Sequence, residues 1–127
     1  MNVKVDVSIT RTFVSEHSLP SVGVAERHEH SYELQCGYSA HVDPEVGCSR
    51  PLQALAHEVD AVVARLHGNC LNTVLPVPPT AEMLACWILA QLPSEWAWAS
   101  IKAYDGYTCT VKRNDIGPSL ALRCKSP

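Results

Sequence analysis

The sequence predicts an α+β fold in which two helices cover one face of a four-stranded antiparallel sheet, in the order β-β-α-α-β-β. Three observations support this prediction: two long segments near the amino terminus alternate apolar and polar residues, two central segments repeat apolar residues at helical spacing, and a second alternating pair follows. The chain has 127 residues, of which 46% are hydrophobic and 18% charged, which suits a single packed domain.

The first predicted hairpin is defined by residues that share one side of each strand. Strand one starts at Val3, carries its apolar residues at odd positions and ends near His17. A loop containing Pro20 and Gly23 follows. In strand two, the even positions from residue 28 to residue 42 line one side, so the two strands are expected to pair as a hairpin.

Two amphipathic helices are predicted in the middle of the chain. The first carries apolar residues at helical spacing, with Ser49 available to cap its start and Gly68 to end it; these apolar residues are Leu52, Leu55, Val59, Val62 and Leu66. The second is expected to begin at the N-cap residue Thr80, with Glu82 in its first turn, and to end at Pro93.

A second hairpin is predicted near the carboxyl terminus. Its strands are Trp96–Tyr104 and Tyr107–Val111, joined by an Asp-Gly turn at residues 105–106. Residues 114–127 show no firm pattern. We therefore predict one domain over residues 1–113, followed by a surface tail or a short added strand over residues 114–127.

Charge and composition exclude several partner classes. The net charge is −3 and the basic residues are scattered, so nucleic acid is not an expected partner. The sequence contains no apolar run long enough to span a membrane and no export signal, which predicts a cytoplasmic protein without membrane association. The six cysteines form no Cys-x-x-Cys pair and are expected to be free thiols, with Cys36, Cys86 and Cys109 in the core.

Oligomer formation is predicted from the surface. The chain is poor in charged residues, and subunit interfaces are depleted of charge. Both faces of the predicted third strand also carry apolar residues, with Trp96 and Trp98 on one face and Ala97, Ala99 and Ile101 on the other. We therefore expect a homo-oligomer in which several sheets join edge to edge to form a closed barrel.

Three histidines form a candidate metal site. His28 and His30 are alternate residues of one strand and point to the same side, and His17 has matching parity at the end of the neighbouring strand. Three neutral imidazoles around Zn²⁺ leave its fourth coordination position open, as in catalytic zinc sites. The alternative is that His-x-His is a common pattern on exposed strands and binds no metal.

Four motifs resemble the 6-pyruvoyl-tetrahydropterin synthase and 6-carboxy-tetrahydropterin synthase family over roughly residues 3–112. In order, they are Phe13-x-x-x-His17-x-Leu19, His28-x-His30, Leu71-Asn72 and Pro79-Thr80-Ala81-Glu82. The resemblance implies a tunnelling fold (T-fold) and a cytoplasmic zinc enzyme with a pterin-like small-molecule substrate. It also implies a hexamer, built as a dimer of trimers, with active sites between subunits.

The same resemblance assigns roles to individual residues. His17, His28 and His30 would hold the zinc. Thr80 and Glu82 are candidate substrate-binding residues because they lie in a matching motif. Asp105 is a third candidate because it corresponds to an acidic residue that holds the pterin ring, although an Asp-Gly turn explains it equally well.

The sequence departs from the family at the proton-transfer residues. Val24 stands where the family has a catalytic cysteine, and His67 and Gly68 stand where it has an Asp-His pair. A general acid or base is worth ~10²- to 10⁴-fold in rate, so the parent reaction is expected to be negligible.

Two hypotheses follow from this loss. In the first, zinc assists a cyclisation, lyase or isomerase step on a small carbonyl or pterin-like compound, with His67, Glu16 or Glu26 carrying protons. In the second, the protein is a noncatalytic homologue that binds a ligand or supports an assembly. Cys70 is a thiol near the altered Asp-His position, and packing is its expected role.

Overall fold

The computed structural model describes residues 3–125 and contains one four-stranded antiparallel sheet in the order β1-β2-β3-β4. The strands are β1 (Lys4–Leu19), β2 (Val24–His41), β3 (Trp98–Lys102) and β4 (Thr108–Lys112). The helices are α1 (Leu52–Leu66), α2 (Leu71–Val74), α3 (Ala81–Gln91) and α4 (Pro118–Lys125). The predicted fold class is confirmed, and α2 and α4 are additional to it.

The carboxyl-terminal segment differs from the prediction. Residues 118–125 form helix α4 rather than an added strand, and α4 packs on α3 with Cys124 fully buried. The last two residues of the predicted extension lie outside the described residues, as do residues 1 and 2. The proposed division of the chain at residue 113 stays a prediction.

The long β1-β2 hairpin extends beyond both predicted strand ends. Its register is unbroken from Lys4↔His41 to His17↔His28, and an irregularity follows between His17 and Leu19. The sequence placed the start of β2 at residue 28, but the strand begins at Val24. Residues 24–27 are all exposed, so no alternation of apolar and polar residues marks this part of the strand.

The second hairpin is shorter than predicted. β3 covers Trp98–Lys102 rather than Trp96–Tyr104, because residues 104–106 form a tight turn. That turn contains the predicted Asp-Gly pair, and both of its residues have positive φ, 61° for Asp105 and 73° for Gly106.

Apolar residues of β1, β2 and β3 face α1 and α3 and form a single core. α3 is buried on almost every side, from Leu84 through Leu89, which fits its apolar sequence. Cys36 and Cys86 are buried as predicted. Cys109 is only partly buried, contrary to the prediction, because β4 is an edge strand with little cover.

The predicted helix ends are partly confirmed. The Thr80 hydroxyl accepts a hydrogen bond from the Met83 main-chain N–H at 3.1 Å, which caps α3. Gly68 adopts a left-handed conformation just beyond α1, with φ of 76°. Ser49 does not cap α1, which begins after Pro51; its hydroxyl instead bonds to that of Tyr38 at 3.0 Å.

The sheet has two outer edges, formed by β1 and β4. Residues 67–72 cover the end of the β1 edge: Gly68 N–H donates to the Val14 carbonyl at 2.8 Å, and Glu16 N–H donates to the Asn69 carbonyl at 3.3 Å. Within residues 3–125, no strand pairs with the rest of the β1 edge or with the outer edge of β4. None of the described helices is long and apolar enough to cross a membrane.

Candidate metal centre

The three predicted ligands lie together near the turn of the β1-β2 hairpin. His17 and His28 are paired across the two strands, and His30 follows on the same face of β2. One ligand nitrogen of each residue lies within 4.8 Å of the other two. The ring centroids are 4.4 to 5.0 Å apart. The hairpin register therefore produces the cluster, as the shared parity predicted.

Main-chain carbonyls fix the protonation pattern of two of the rings. His17 Nδ1 lies 2.8 Å from the Pro79 carbonyl oxygen, and His28 Nδ1 lies 2.9 Å from that of Glu26. Because a carbonyl oxygen can only accept a hydrogen bond, each Nδ1 carries the proton. In the neutral rings, each Nε2 then presents a lone pair.

These two lone pairs face one another, since His17 Nε2 and His28 Nε2 are only 3.0 Å apart. Two acceptors at this distance repel unless a proton or a cation lies between them. Two nitrogens bound to one tetrahedral zinc, at about 2.1 Å each, are separated by about 3.4 Å. The donor set therefore fits zinc, with His30 as the third nitrogen ligand.

The environment favours neutral imidazoles. Burial lowers the pKa of His17 despite the opposing effect of its hydrogen bond to the Pro79 carbonyl, and the neighbouring His28 lowers it further. Burial, together with the neighbouring His28 and His17, lowers the pKa of His30 to about 4. A metal binds only the unprotonated nitrogen, so these shifts prepare the rings to act as ligands at neutral pH.

A cavity of about 510 Å³ opens beside the histidine cluster. Its walls come from the β1-β2 hairpin, the start of α3 and the β3-β4 turn. The residues that line it are His17, Leu19, Tyr32, Thr80, Ala81, Glu82, Ala103, Asp105, Gly106 and Tyr107. All three predicted substrate-binding residues therefore face the same space as His17.

Two carboxylates give this cavity acceptor groups. Glu82 lies in the first turn of α3, where the helix dipole favours a negative charge. It accepts a hydrogen bond from the Tyr107 hydroxyl, an interaction that raises the pKa of Tyr107. Asp105 both forms the β3-β4 turn and lines the cavity, so its two interpretations are compatible.

The three candidate proton carriers occupy different places, and none is among the described residues that line the cavity. His67 is exposed beyond α1, and its Nδ1 accepts from the Val14 N–H at 3.1 Å. Glu16 forms an ion pair with Arg27 and lies on the opposite face of β1 from His17. Glu26 is exposed on β2 and shares its face with His28.

Val24 lies at the position where a catalytic cysteine was expected, and Cys70 lies near the position where an Asp-His pair was expected. Val24 is 39% exposed at the start of β2, on the same face as Glu26 and His28. Cys70 is partly buried beyond α1, where its Sγ donates to Asn72 Oδ1 at 3.7 Å.

Sequence reasoning missed two residues that contact the histidine cluster. Tyr32 places its hydroxyl 3.4 Å from His17 Nδ1, and its ring stacks on Phe13 with centroids 5.2 Å apart. Its parity with His28 and His30 was a usable signal. Pro79 contributes only its main-chain carbonyl, for which the residue type gives no signal.

Comparisons with known proteins agree with this architecture. A family model described as 6-pyruvoyl tetrahydropterin synthase matches residues 6–113. The solved structure of Caenorhabditis elegans 6-pyruvoyl tetrahydropterin synthase has a TM-score of 0.79 at 19% identity, covering 87% of this chain and 96% of that one. The Plasmodium falciparum 6-pyruvoyl tetrahydropterin synthase structure has a TM-score of 0.68 at 16% identity, covering 85% and 96%. No curated protein sequence matches significantly.

Proposed function

Because the chain belongs to the 6-pyruvoyl tetrahydropterin synthase family, we propose that it is a zinc-dependent enzyme for a cyclisation, lyase or isomerase step on a small carbonyl or pterin-like compound. The observation that carries the proposal is the pair of Nε2 lone pairs of His17 and His28, which face each other at 3.0 Å beside the cavity. His30 completes a donor set of three neutral nitrogens, the kind found in catalytic zinc sites.

In this proposal His17, His28 and His30 hold the ion, and the cavity holds the substrate. Bound zinc would polarise a carbonyl or hydroxyl oxygen of the substrate and make the adjacent C–H more acidic. Glu82 and Asp105 accept hydrogen bonds from N–H or O–H groups of the substrate, and Tyr107 orients the Glu82 carboxylate. The Thr80 hydroxyl, which caps α3, lines the same wall.

We assign the proton transfer to Glu26. Its side chain projects from the same face of β2 as His28, while Glu16 points to the other face and His67 bonds to the β1 edge. In the proposed step, the Glu26 carboxylate takes the proton from the carbon beside the polarised carbonyl. Glu26, like Glu16 and His67, does not line the cavity, so the proposal requires the substrate to extend past the histidines toward the exposed residues 24–27.

A homo-oligomer is part of the proposal, with the hexameric dimer of trimers as the expected form and the cytoplasm as the expected location. The two outer edges of the sheet support it, since the outer edge of a strand invites pairing with another chain. Residues 24–27, directly before His28, are all exposed in the single chain, which also fits a site between subunits.

Metal analysis tests the zinc site directly. The protein purified without added metal and then reconstituted should hold about one equivalent of zinc per chain. His28→Ala should lose this zinc, whereas the control His57→Ala, which changes an exposed histidine on α1, should retain it. Equal zinc content in all three proteins, or none in the unaltered protein, would contradict the proposal.

Proton exchange tests the chemistry. With dihydroxyacetone as probe in D₂O, the zinc-loaded protein should exchange the C–H hydrogens beside the carbonyl, followed by NMR. Glu26→Gln should slow the exchange by ~10²-fold or more with zinc content unchanged. Glu29→Gln, on the opposite face of β2, is the matched control and should exchange at the rate of the unaltered protein.

The noncatalytic homologue is a second candidate, favoured by Val24 in place of a thiol. It predicts that neopterin binds, measured by its fluorescence, without zinc-dependent exchange in D₂O. Val24→Cys distinguishes a disabled parent site from a repurposed one: pterin synthase activity gained by this variant would indicate the former, and continued inactivity the latter.

A further inference from the structure

We infer that Asn72 is a positioning residue for the metal ligand His17, which it holds through the main chain of Ser18. The inference rests on the proposed zinc site and goes beyond it, because Asn72 is neither a ligand nor a residue that lines the cavity. Three features support this role. Asn72 bonds to Ser18, the β1-β2 register shifts next to Ser18, and Pro79, on the same connector as Asn72, contacts the His17 ring.

The Asn72 side chain binds both main-chain groups of Ser18. Its Oδ1 accepts the Ser18 N–H at 2.8 Å, and its Nδ2 donates to the Ser18 carbonyl at 3.0 Å. The amide can make this pair of bonds in only one orientation, with oxygen facing the N–H. Cys70 Sγ, which lies 3.7 Å from Oδ1, donates to the same oxygen and favours that orientation.

The two Asn72 hydrogen bonds lie at the point where the regular pairing of β1 with β2 ends. The β1-β2 ladder is regular up to the pair His17↔His28, and the register shifts between His17 and Leu19. His30 lies within the regular part of β2, with paired residues on both sides of it, whereas His17 and His28 form the last regular pair. Ser18, the next residue of β1, has no partner in the register, and the Asn72 amide binds its N–H and carbonyl instead, which holds the backbone directly after His17.

The His17 ring is held from the same connector, residues 67–80, that carries Asn72. The Pro79 carbonyl accepts from His17 Nδ1 at 2.8 Å and so sets the rotation of the ring. Leu71 and Leu75 are buried on either side of Asn72 and anchor its short helix to the core. One connector therefore fixes both the backbone and the ring orientation of this ligand, and Nε2 faces the two other histidines as a result.

Cobalt binding tests the inference with a spectroscopic readout that does not depend on turnover. Asn72→Ala should bind Co²⁺ about 10- to 100-fold more weakly than the unaltered protein, the loss typical for residues that orient a ligand. Its visible d–d bands should weaken toward those of His17→Ala as the third nitrogen leaves the coordination sphere. Asn69→Ala is the matched control: this exposed amide on the same connector donates to the Arg65 carbonyl, and its loss should leave the Co²⁺ affinity unchanged.

A second variant keeps the test decisive if Asn72→Ala does not fold. Asn72→Asp has nearly the same shape and retains the acceptor for the Ser18 N–H but loses the donor, so its Co²⁺ affinity should lie between those of the unaltered protein and Asn72→Ala. Unchanged affinity and spectrum in whichever of these variants fold would overturn the role of Asn72 alone. An unaltered protein that binds no Co²⁺ or Zn²⁺ would overturn the proposed zinc function and this inference together.

Discussion

Gly37 on β2 lies directly against the indole of Trp98, its partner on β3. A Cβ at this position would lie 2.5 Å from Trp98 Cζ2 and 2.5 Å from the Val7 carbonyl oxygen. The second of these atoms belongs to the backbone of β1 and cannot move without disturbing the ladder. We expect Gly37→Ala to lower the free energy of unfolding by about 1–3 kcal/mol, measured by urea denaturation.

Gly117→Ala is the control for this prediction. No atom lies within 4 Å of the corresponding Cβ, and Gly117 does not have positive φ. The free energy of unfolding should therefore change by less than about 1 kcal/mol. If both variants lose the same free energy of unfolding, close contact with Trp98 is not the reason that position 37 requires glycine.

Glu58 on α1 links a loop to the core through charged hydrogen bonds. Arg50 donates to both of its oxygens, at 3.0 and 2.7 Å, and the Trp96 indole donates to Oε1 at 2.8 Å. The Arg50 hydrogen bonds, followed by that from Trp96, hold the pKa of Glu58 below its usual value despite an opposing effect of burial. The ionised carboxylate is thus preferred in the folded protein.

This pKa shift predicts a pH-dependent contribution to stability. Because the folded-state pKa is lowered, the stabilisation is complete above the unfolded-state pKa of about 4.3 and is lost as the pH falls through the folded-state value. Glu58→Gln should lower the free energy of unfolding by about 1–2 kcal/mol at neutral pH, and the difference should shrink below about pH 4. Urea denaturation at several pH values, with the exposed Glu45→Gln as control, measures the effect.

Individual site residues differ in how well the sequence predicts them. His17, His28 and His30 were predicted together because alternation on paired strands fixes which side chains share a face. The Asn72 amide bonds to the main chain of Ser18, and Pro79 offers its main-chain carbonyl to His17. Both residues belong to a connector without periodicity, so no spacing rule identifies these contacts. The histidine cluster was therefore predictable, and its contacts with the 67–80 connector were not.

Among the elements, α2 and α4 are the two helices that the sequence did not predict, and α4 is the longer of them. It has only eight residues, and Cys124 is the one that the structure shows as buried. It begins within a Gly-Pro pair at residues 117–118, which resembles a turn rather than a helix start. A short helix with one core-facing residue gives too little periodic signal, whereas α1 repeats four buried residues over its length.

Helix α4 should nevertheless contribute to folding. Cys124 is fully buried against α3, whereas Leu122 on the same helix is 72% exposed. We expect Cys124→Asp to lower the free energy of unfolding by about 2 kcal/mol or more, because it buries a carboxyl group. Leu122→Asp is the matched control and should cost less than about 0.5 kcal/mol; similar values for both variants, measured by urea denaturation, would contradict a packed α4.

At the scale of the whole molecule, no strand of the described part of the chain pairs with the β1 edge where the 67–72 segment does not reach it. The N–H groups of Val14 and Glu16 point to this edge, and Thr10 has the same parity in an unbroken ladder, so its N–H does too. Thr10→Pro would remove this donor without breaking a β1-β2 hydrogen bond. We expect the proposed oligomer to dissociate into folded smaller species, measured by analytical ultracentrifugation.

Thr10→Val is the control, since it keeps the N–H and should keep the oligomer. Circular dichroism of the Thr10→Pro species should match that of the unaltered protein, which separates loss of assembly from loss of fold. An unchanged sedimentation coefficient in Thr10→Pro would show that subunits do not meet along β1.

The two open edges of one chain are not alike, since one belongs to the long β1 and the other to the five-residue β4. Contact between unlike edges runs head to tail, and such contacts either close into a ring or grow without limit. A subunit with a blocked β1 but an intact β4 could still join a neighbour on one side. Mixed with unaltered chains, it would act as a terminator, so a minority of Thr10→Pro subunits would leave most rings incomplete.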